Sequence, residues 1–232
     1  VISARTRHLP ESEFEEILKL AAEGKGIISL GPGDPDFSTP KEIIDAACNA
    51  LRKGFTHYAP AGGRTDLKEA IARKLKKENN VPLEDPHNEI VVTAGSTEAI
   101  LLALLATVDP GEEVLVPNPG FLAYIPTVDL VTGFPIPIPL REETGFQIDL
   151  DALRKTISNK TRAIILNTPS NPTGTVMSKK VLEELADIAR EHNLVVMADE
   201  AYEKLVYEDA KHVSFASLNG MHEHTLTFQT FS

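Results

Sequence analysis

Four short polar segments of this chain combine residue types that could bind a phosphate group and a flat ring. They are Gly95-Ser96-Thr97, residues 117–121, residues 167–174 and Asp199-Glu200-Ala201-Tyr202. The first follows an apolar run and opens a helical pattern, where free backbone N–H groups and hydroxyls can bind an anion. An ordinary helix N-cap is the alternative interpretation of that segment.

The other three segments supply a carboxylate, an aromatic ring and an amide. Asp199 comes directly after the apolar run 194–197, where a carboxylate is costly unless it is paired or hydrogen-bonded. Phe121 could cover a ring face and Asn171 could direct its amide inward, although a core aromatic and a plain turn are the alternatives. Together with Tyr202 these groups suit pyridoxal phosphate, whose ring nitrogen Asp199 would keep protonated. For Asp199 the alternative is a helix cap or a structural ion pair.

The elements that must position these segments alternate between strands and helices. Five apolar runs are predicted to be strands, at residues 90–92, 114–116, 163–166, 194–197 and 226–228. Helical patterns lie between them, for example at residues 97–108 and 178–192. Continuous apolar runs are typical of strands buried on both faces, so we expect an α/β fold, a doubly wound, mainly parallel sheet sandwiched by helices. Ligands of such sheets bind beyond the carboxyl ends of the strands, where the polar segments lie.

Composition disfavours several other classes of protein. The 23 Lys and Arg residues against 34 Asp and Glu give a net charge of −11, which disfavours a nucleic-acid partner. No apolar run reaches the roughly 20 residues that span a bilayer, so we expect no membrane partner. The single Cys48 disfavours a disulfide scaffold or a cysteine-based zinc site, and we predict no metal. No secretory segment is visible at Val1, so a cytoplasmic location is expected.

The order and spacing of the motifs resemble those of class I/II aminotransferases, which are pyridoxal-phosphate enzymes of fold type I. The motifs are the loop at residues 33–40, Tyr58-Ala59-Pro60, Gly95-Ser96-Thr97, Asn171-Pro172-Thr173-Gly174 and Asp199-Glu200-Ala201-Tyr202. The resemblance implies a cofactor-binding large domain over residues 41–232, incomplete at its C-terminus. For residues 1–40 it implies an N-terminal arm and part of an incomplete small domain.

The resemblance also implies a role for individual residues. Gly33 resembles the loop glycine that meets the substrate carboxylate, and Tyr58 the tyrosine that reaches the cofactor phosphate of the neighbouring subunit of a homodimer. Phe121 resembles the aromatic over the ring face, where many members have Tyr or Trp. The phosphate would be bound by Gly95, Ser96, Thr97 and Thr230. The phenolic oxygen would bond Asn171 and Tyr202, and the ring nitrogen would bond Asp199.

The family's Schiff-base lysine would come directly after Ser232, and the chain has no such residue. In the family this lysine moves a proton between the substrate and the cofactor. Lys204 follows the Asp199 motif but is expected on the surface, so it is no replacement. We therefore expect an inactive fragment of an aminotransferase that acts on an amino acid and a 2-oxo acid.

Two other functions stay open at this point. The same cofactor site would serve another fold type I enzyme, such as a C–S or β-elimination lyase. A non-catalytic cofactor-binding module is the second alternative. The side chain of the substrate is not predicted, and aromatic, aspartate and alanine transaminases all remain possible.

Overall fold

The computed structural model describes residues 2–6, 20, 33 and 37–232 of the chain. Its contacts form two compact units, one of Val1–Leu9 with Gly62–Ser232 and the other of Pro10–Ala61. The expected boundary between residues 40 and 41, with its arm and two domains, stays a prediction. Within the described residues, no helix has the length and apolar character needed to cross a membrane.

The unit Pro10–Ala61 contains one described helix of several turns. This helix, α1, spans Lys41–Arg52 and has a pronounced apolar side, although none of its residues is buried. Lys41 and Asp45 form an ion pair along its exposed surface, one turn apart.

The other unit contains the sheet and the helices around it. Its helices are α2 Thr65–Lys74, α3 Pro86–Glu89, α4 Ser96–Thr107, α5 Tyr124–Leu130, α6 Leu150–Thr156 and α7 Lys179–Glu191. Its strands are β1 Glu113–Asn118, β2 Phe134–Pro139, β3 Thr161–Asn167, β4 Val195–Asp199 and β5 Thr225–Phe228. A π-helical turn over Leu75–Asn79 extends α2, and short 3-10 turns lie at Ala4–Thr6, Glu142–Thr144, Phe215–Ser217 and His222–His224.

The five strands pair only in parallel, in the order β2-β1-β3-β4-β5. Alternate side chains of β1, β3 and β4 enter two different apolar clusters, as the period of two requires. Ile164 and Leu166 of β3 pack with Leu185 of α7 on one face, whereas Ile165 packs with Leu104 of α4 on the other. Helices therefore cover both faces of the sheet, and the predicted fold class is confirmed.

Two details of the predicted sheet are wrong. The run 90–92 is not a strand in the structure, where Val92 donates one backbone hydrogen bond to Gly62. An extended run becomes a strand only when its N–H and C=O groups pair with a neighbour, and the described sheet offers none there. Conversely, β2 forms at Phe134–Pro139, which the pattern of apolar runs did not indicate because it contains three prolines.

The prolines of β2 fit an edge strand. The backbone N–H groups of Phe134 and Leu140 donate to Glu112 and Asn118 at 2.7 and 2.8 Å, so even-numbered residues face β1. The backbone nitrogen atoms of the odd-numbered residues, including Pro135 and Pro137, therefore point toward the edge that has no neighbour in the described sheet. Proline lacks an N–H, and here none is needed.

Candidate active site

The carboxyl ends of β3 and β4 are joined by a set of hydrogen bonds. Asn167 and Asp199 are register partners at the last positions of these strands. The side-chain amide of Asn167 donates to the backbone carbonyl of Asp199 at 3.1 Å. Its Oδ1 atom accepts the backbone N–H of Asn171 at 2.6 Å. Asn167 therefore holds the loop after β3, which carries Asn171, against the end of β4.

Asp199 is buried, with 5% of its surface exposed. Its Oδ2 atom accepts a hydrogen bond from the Tyr124 hydroxyl at 2.7 Å, and its Oδ1 atom accepts the Ala201 backbone N–H at 3.1 Å. Burial raises the pKa of Asp199 above its ordinary value, and these two hydrogen bonds offset only part of that rise. The carboxylate is thus held in a place where a cation would stabilise it.

Tyr124 belongs to this candidate site through its bond to Asp199, and sequence reasoning did not assign it. Burial and the neighbouring Asp199 charge raise the pKa of its phenol, which therefore stays protonated and acts as the donor. Its ring packs edge-on against Phe121, with centroids 5.5 Å apart and planes at 80°. The only signal in the sequence is the three-residue spacing from Phe121, which says nothing about Asp199.

The predicted pair Asn171 and Tyr202 is brought together. The Asn171 amide donates to the Tyr202 hydroxyl at 3.2 Å, and both side chains are half-buried. A ligand oxygen placed near both could exchange hydrogen bonds with an amide and a phenol. The arrangement is therefore suited to recognising a phenolic or phenolate oxygen.

The segment Gly95-Ser96-Thr97 forms the start of α4. Gly95 occupies the N-cap position with φ of 85°, a left-handed conformation that favours glycine, and no side chain caps the helix. Ser96 is half-buried and Thr97 is exposed. The first N–H groups of α4 thus have no capping side chain, and an anion would satisfy them.

The remaining predicted residues lie in different places. Thr230 is half-buried just after β5, and its hydroxyl lies 2.9 Å from that of Ser232. Gly33 and Tyr58 belong to the unit Pro10–Ala61, and both are exposed. Their roles toward substrate and cofactor stay predictions. Lys204 is exposed and bonds Glu78 at 2.7 Å, so it is engaged away from Asp199.

A second buried carboxylate, Glu200, was not singled out from the sequence. It is completely buried and accepts hydrogen bonds from the Ser214 hydroxyl at 3.0 Å and the Phe215 backbone N–H at 2.9 Å. The ring Nε2 atom of His212 lies 3.3 Å from its other oxygen. These contacts hold the segment after β4 to residues 212–215, and none of them involves the side chain of Asp199 or Tyr202.

Comparisons with known proteins give the same assignment as the motifs. The profile of the family "Aminotransferase class I and II" matches residues 25–232. Aspartate aminotransferase of Pyrococcus abyssi is 49% identical over 221 residues, which are 95% of this chain and 57% of the relative. Aromatic-amino-acid aminotransferase 2 of Thermococcus litoralis is 46% identical over 231 residues, 100% of this chain and 59% of the relative.

Solved structures of aminotransferases also superpose closely. An aromatic aminotransferase from Pyrococcus horikoshii is 48% identical with a TM-score of 0.87, over 94% of this chain and 58% of the other. An N-succinyldiaminopimelate aminotransferase from Mycobacterium tuberculosis is 39% identical with a TM-score of 0.93, over 99% and 59%. The chain thus spans just over half the length of these proteins. With the family profile covering most of its residues, it belongs to the class I and II aminotransferase family.

Proposed function

We propose that the protein containing this chain is a pyridoxal-phosphate-dependent aminotransferase. It would move an amino group between an amino acid and a 2-oxo acid. The observation that carries the proposal is the buried Asp199 carboxylate, fixed by Tyr124 at the end of β4. Membership in the family and the named activities of the relatives support the same reaction.

The described residues fit the cofactor. Both groups that bond the Asp199 carboxylate, a phenol and a backbone N–H, are neutral. A protonated pyridine nitrogen would supply the opposite charge that a buried carboxylate requires. The uncapped start of α4 suits a phosphate, and the Asn171–Tyr202 pair suits the phenolic oxygen of the ring.

When bound, pyridoxal phosphate supplies an electron sink for the charge left as the substrate Cα loses a proton. In this proposal Asp199 holds the ring nitrogen protonated, and Asn171 with Tyr202 orients the ring through its phenolic oxygen. Phe121 covers a ring face. Gly95, Ser96, Thr97 and Thr230 bind the phosphate, and Gly33 meets the substrate carboxylate. The lysine that moves the proton would directly follow Ser232, outside the 232 residues.

We also propose that the enzyme is a homodimer in the cytoplasm whose Tyr58 completes the phosphate site of the other subunit. Tyr58 is fully exposed, which is the state expected of a side chain that acts toward another subunit. The names of the relatives make aspartate and the aromatic amino acids the first amino donors to test.

The test of the reaction is product analysis with the complete enzyme. An amino donor and a 2-oxo acid acceptor should yield the new amino acid and the new 2-oxo acid in equal amounts. Asp199→Ala should lower turnover by about 100-fold or more, because the buried electrostatic partner of the ring is lost. Asp209→Ala, which changes an exposed aspartate, is the matched control and should stay near the unaltered rate.

Other outcomes would identify another function. Pyruvate and ammonia from a single amino acid, formed without an acceptor, would identify a β-elimination lyase. Cofactor binding without turnover of any amino acid would identify a non-catalytic module. Full activity of Asp199→Ala would contradict the role given to that carboxylate.

A further inference from the structure

Lys74, the last residue of α2, has an ammonium group whose three hydrogen-bond donors all find acceptors. It bonds the Oδ1 atom of Asn79 at 2.9 Å and the Oε1 atom of Gln229 at 2.9 Å. It also forms an ion pair with the carboxylate of Glu203. An ammonium has three N–H groups, so this site is fully satisfied.

The Glu203 carboxylate is the centre of the same cluster. It accepts further hydrogen bonds from the side-chain amides of Asn79 at 2.6 Å and Gln229 at 3.1 Å, and only 12% of its side chain is exposed. Burial by itself would raise the pKa of Glu203, but the bonds from Lys74 and Asn79 outweigh it and hold the pKa below its ordinary value. Carboxylate oxygens of Glu203 and Glu200 lie within 4.8 Å, so Lys74 also balances charge there.

The cluster joins three segments that are distant in sequence. Lys74 lies 155 residues before Gln229, and Asn79 lies 124 residues before Glu203. Glu203 directly follows Tyr202, and Gln229 directly precedes Thr230. Because the cluster holds Glu203 and Gln229, it restricts the backbone at Tyr202 and Thr230, the two predicted cofactor contacts.

We propose that Lys74 is a positioning residue of the cofactor site, which ties the turn carrying Tyr202 to the segment carrying Thr230. The proposal rests on the proposed function, since it assumes that Tyr202 and Thr230 contact the cofactor. Lys74 itself touches neither cofactor nor substrate in this role. It acts through Glu203 and Gln229, whose positions it fixes.

The chain offers a matched control in Lys204. This lysine bonds Glu78 and so joins two of the three segments of the cluster, the π-helical turn and the turn after β4. It is 66% exposed and has no bond to Gln229. Lys204→Met therefore removes a Lys–Glu pair of the same kind without releasing the end of β5.

The experiment measures binding of pyridoxamine phosphate to the complete enzyme freed of cofactor, by equilibrium dialysis. Pyridoxamine phosphate forms no Schiff base with lysine, so its dissociation constant reports the non-covalent contacts. Lys74→Met should raise this constant about tenfold, and Lys204→Met less than about twofold. Pyridoxamine, which lacks the phosphate, should lose less affinity in Lys74→Met because it has no phosphate for Thr230 to bind.

A second variant keeps the test decisive where Lys74→Met fails to fold. Gln229→Met leaves the Lys74–Glu203 pair in place and releases only the segment before Thr230. It should weaken pyridoxamine phosphate binding several-fold, and unaltered binding by folded Gln229→Met would overturn the inference. An equal loss in Lys204→Met would overturn it as well. Failure of the unaltered enzyme to bind pyridoxamine phosphate would overturn the proposed function, and the inference with it.

Discussion

The Tyr124 hydroxyl donates a hydrogen bond of 2.7 Å to the Oδ2 atom of Asp199, across 75 residues of sequence. Tyr124 is the first residue of α5, and Asp199 is the last residue of β4. The ring of Tyr124 belongs to an apolar cluster with Met197 and Phe228, and its hydroxyl fixes the direction of the carboxylate. A phenol that stays protonated can do this without adding a charge of its own.

Replacing Tyr124 by Phe should raise the pKa of Asp199 further, because the Tyr124 hydrogen bond is the larger of the two that favour the ionised form. The change should also lower the free energy of unfolding by about 1–2 kcal/mol at neutral pH, where the buried carboxylate loses a donor. Carbon-detected NMR titration of the aspartate carboxyl and urea unfolding measure the two effects. Tyr202→Phe removes the hydroxyl that faces Asn171 instead, so it should leave the Asp199 titration unchanged.

The stability of the cofactor-free protein should depend on pH through Asp199. Its pKa in the folded protein lies above 3.8, the value expected in the unfolded chain, because of burial. Between pH 3.8 and the pKa in the folded protein, the folded state therefore binds more protons than the unfolded state. This contribution to stability is complete below pH 3.8 and is lost as pH rises through the folded pKa.

Asp199→Asn isolates that contribution, since the amide does not titrate. Glu203 has a lowered pKa and contributes in the opposite direction, because its stabilisation is lost as the solution becomes acidic. The free energy of unfolding of the unaltered protein minus that of Asp199→Asn should therefore fall as pH rises above 3.8. A difference that stays constant across that range would show that Asp199 has an ordinary pKa.

Glu200→Ala should be among the most destabilising single changes in the unit that contains the sheet. It would leave the Ser214 hydroxyl, the Phe215 N–H and the His212 ring without their shared acceptor in a buried place. We expect a loss of about 3 kcal/mol or more in the free energy of unfolding, measured in urea. Glu223→Ala, at an exposed position, should change it by less than about 0.5 kcal/mol. A loss below about 1 kcal/mol for Glu200→Ala would contradict this interpretation.

The alternation of prolines in β2 predicts opposite effects at neighbouring positions. Because Phe134 and Leu140 donate their N–H groups to Glu112 and Asn118, the period of two directs the N–H of Ile136 toward β1 and the backbone N of Pro137 toward the open edge. The free energy of unfolding of the Ile136→Pro protein should therefore be lower than that of Ile136→Ala by about 2 kcal/mol or more, because a hydrogen bond between β1 and β2 is lost. Pro137→Ala should cost less than about 1 kcal/mol. If Ile136→Pro and Pro137→Ala lowered the free energy of unfolding equally, the N–H group of residue 136 would not be bonded to β1 and β2 would have a different register.

Much of the sheet could be predicted from local pattern. The runs 114–116, 163–166, 194–197 and 226–228 lie within or beside the observed strands β1, β3, β4 and β5. A strand buried on both faces must be apolar along its length, so its composition alone reveals it. The polar residues after these runs also had to share one edge, because all parallel strands end on the same side.

The positions of β2 and of residues 90–92 could not be predicted in the same way. Three prolines in Phe134–Pro139 read as a loop until the strand is placed at an edge, where half of its N–H groups need no partner. The run 90–92 has the composition of a strand and finds none to pair with in the described sheet. In both cases the neighbour decides the outcome, and the neighbour lies elsewhere in the chain.

The sequence by itself determined the fold class, the family and the identity of Asp199, Asn171 and Tyr202 as site candidates. Each of these depends on a local pattern or on motifs in a recognisable order. Only the tertiary structure decided that Tyr124 bonds Asp199, and that Lys74 joins Glu203 to Gln229. These contacts span 75 to 155 residues of chain. Periodicity and spacing describe neighbours along the chain, whereas the order of strands in the sheet determines which distant side chains meet.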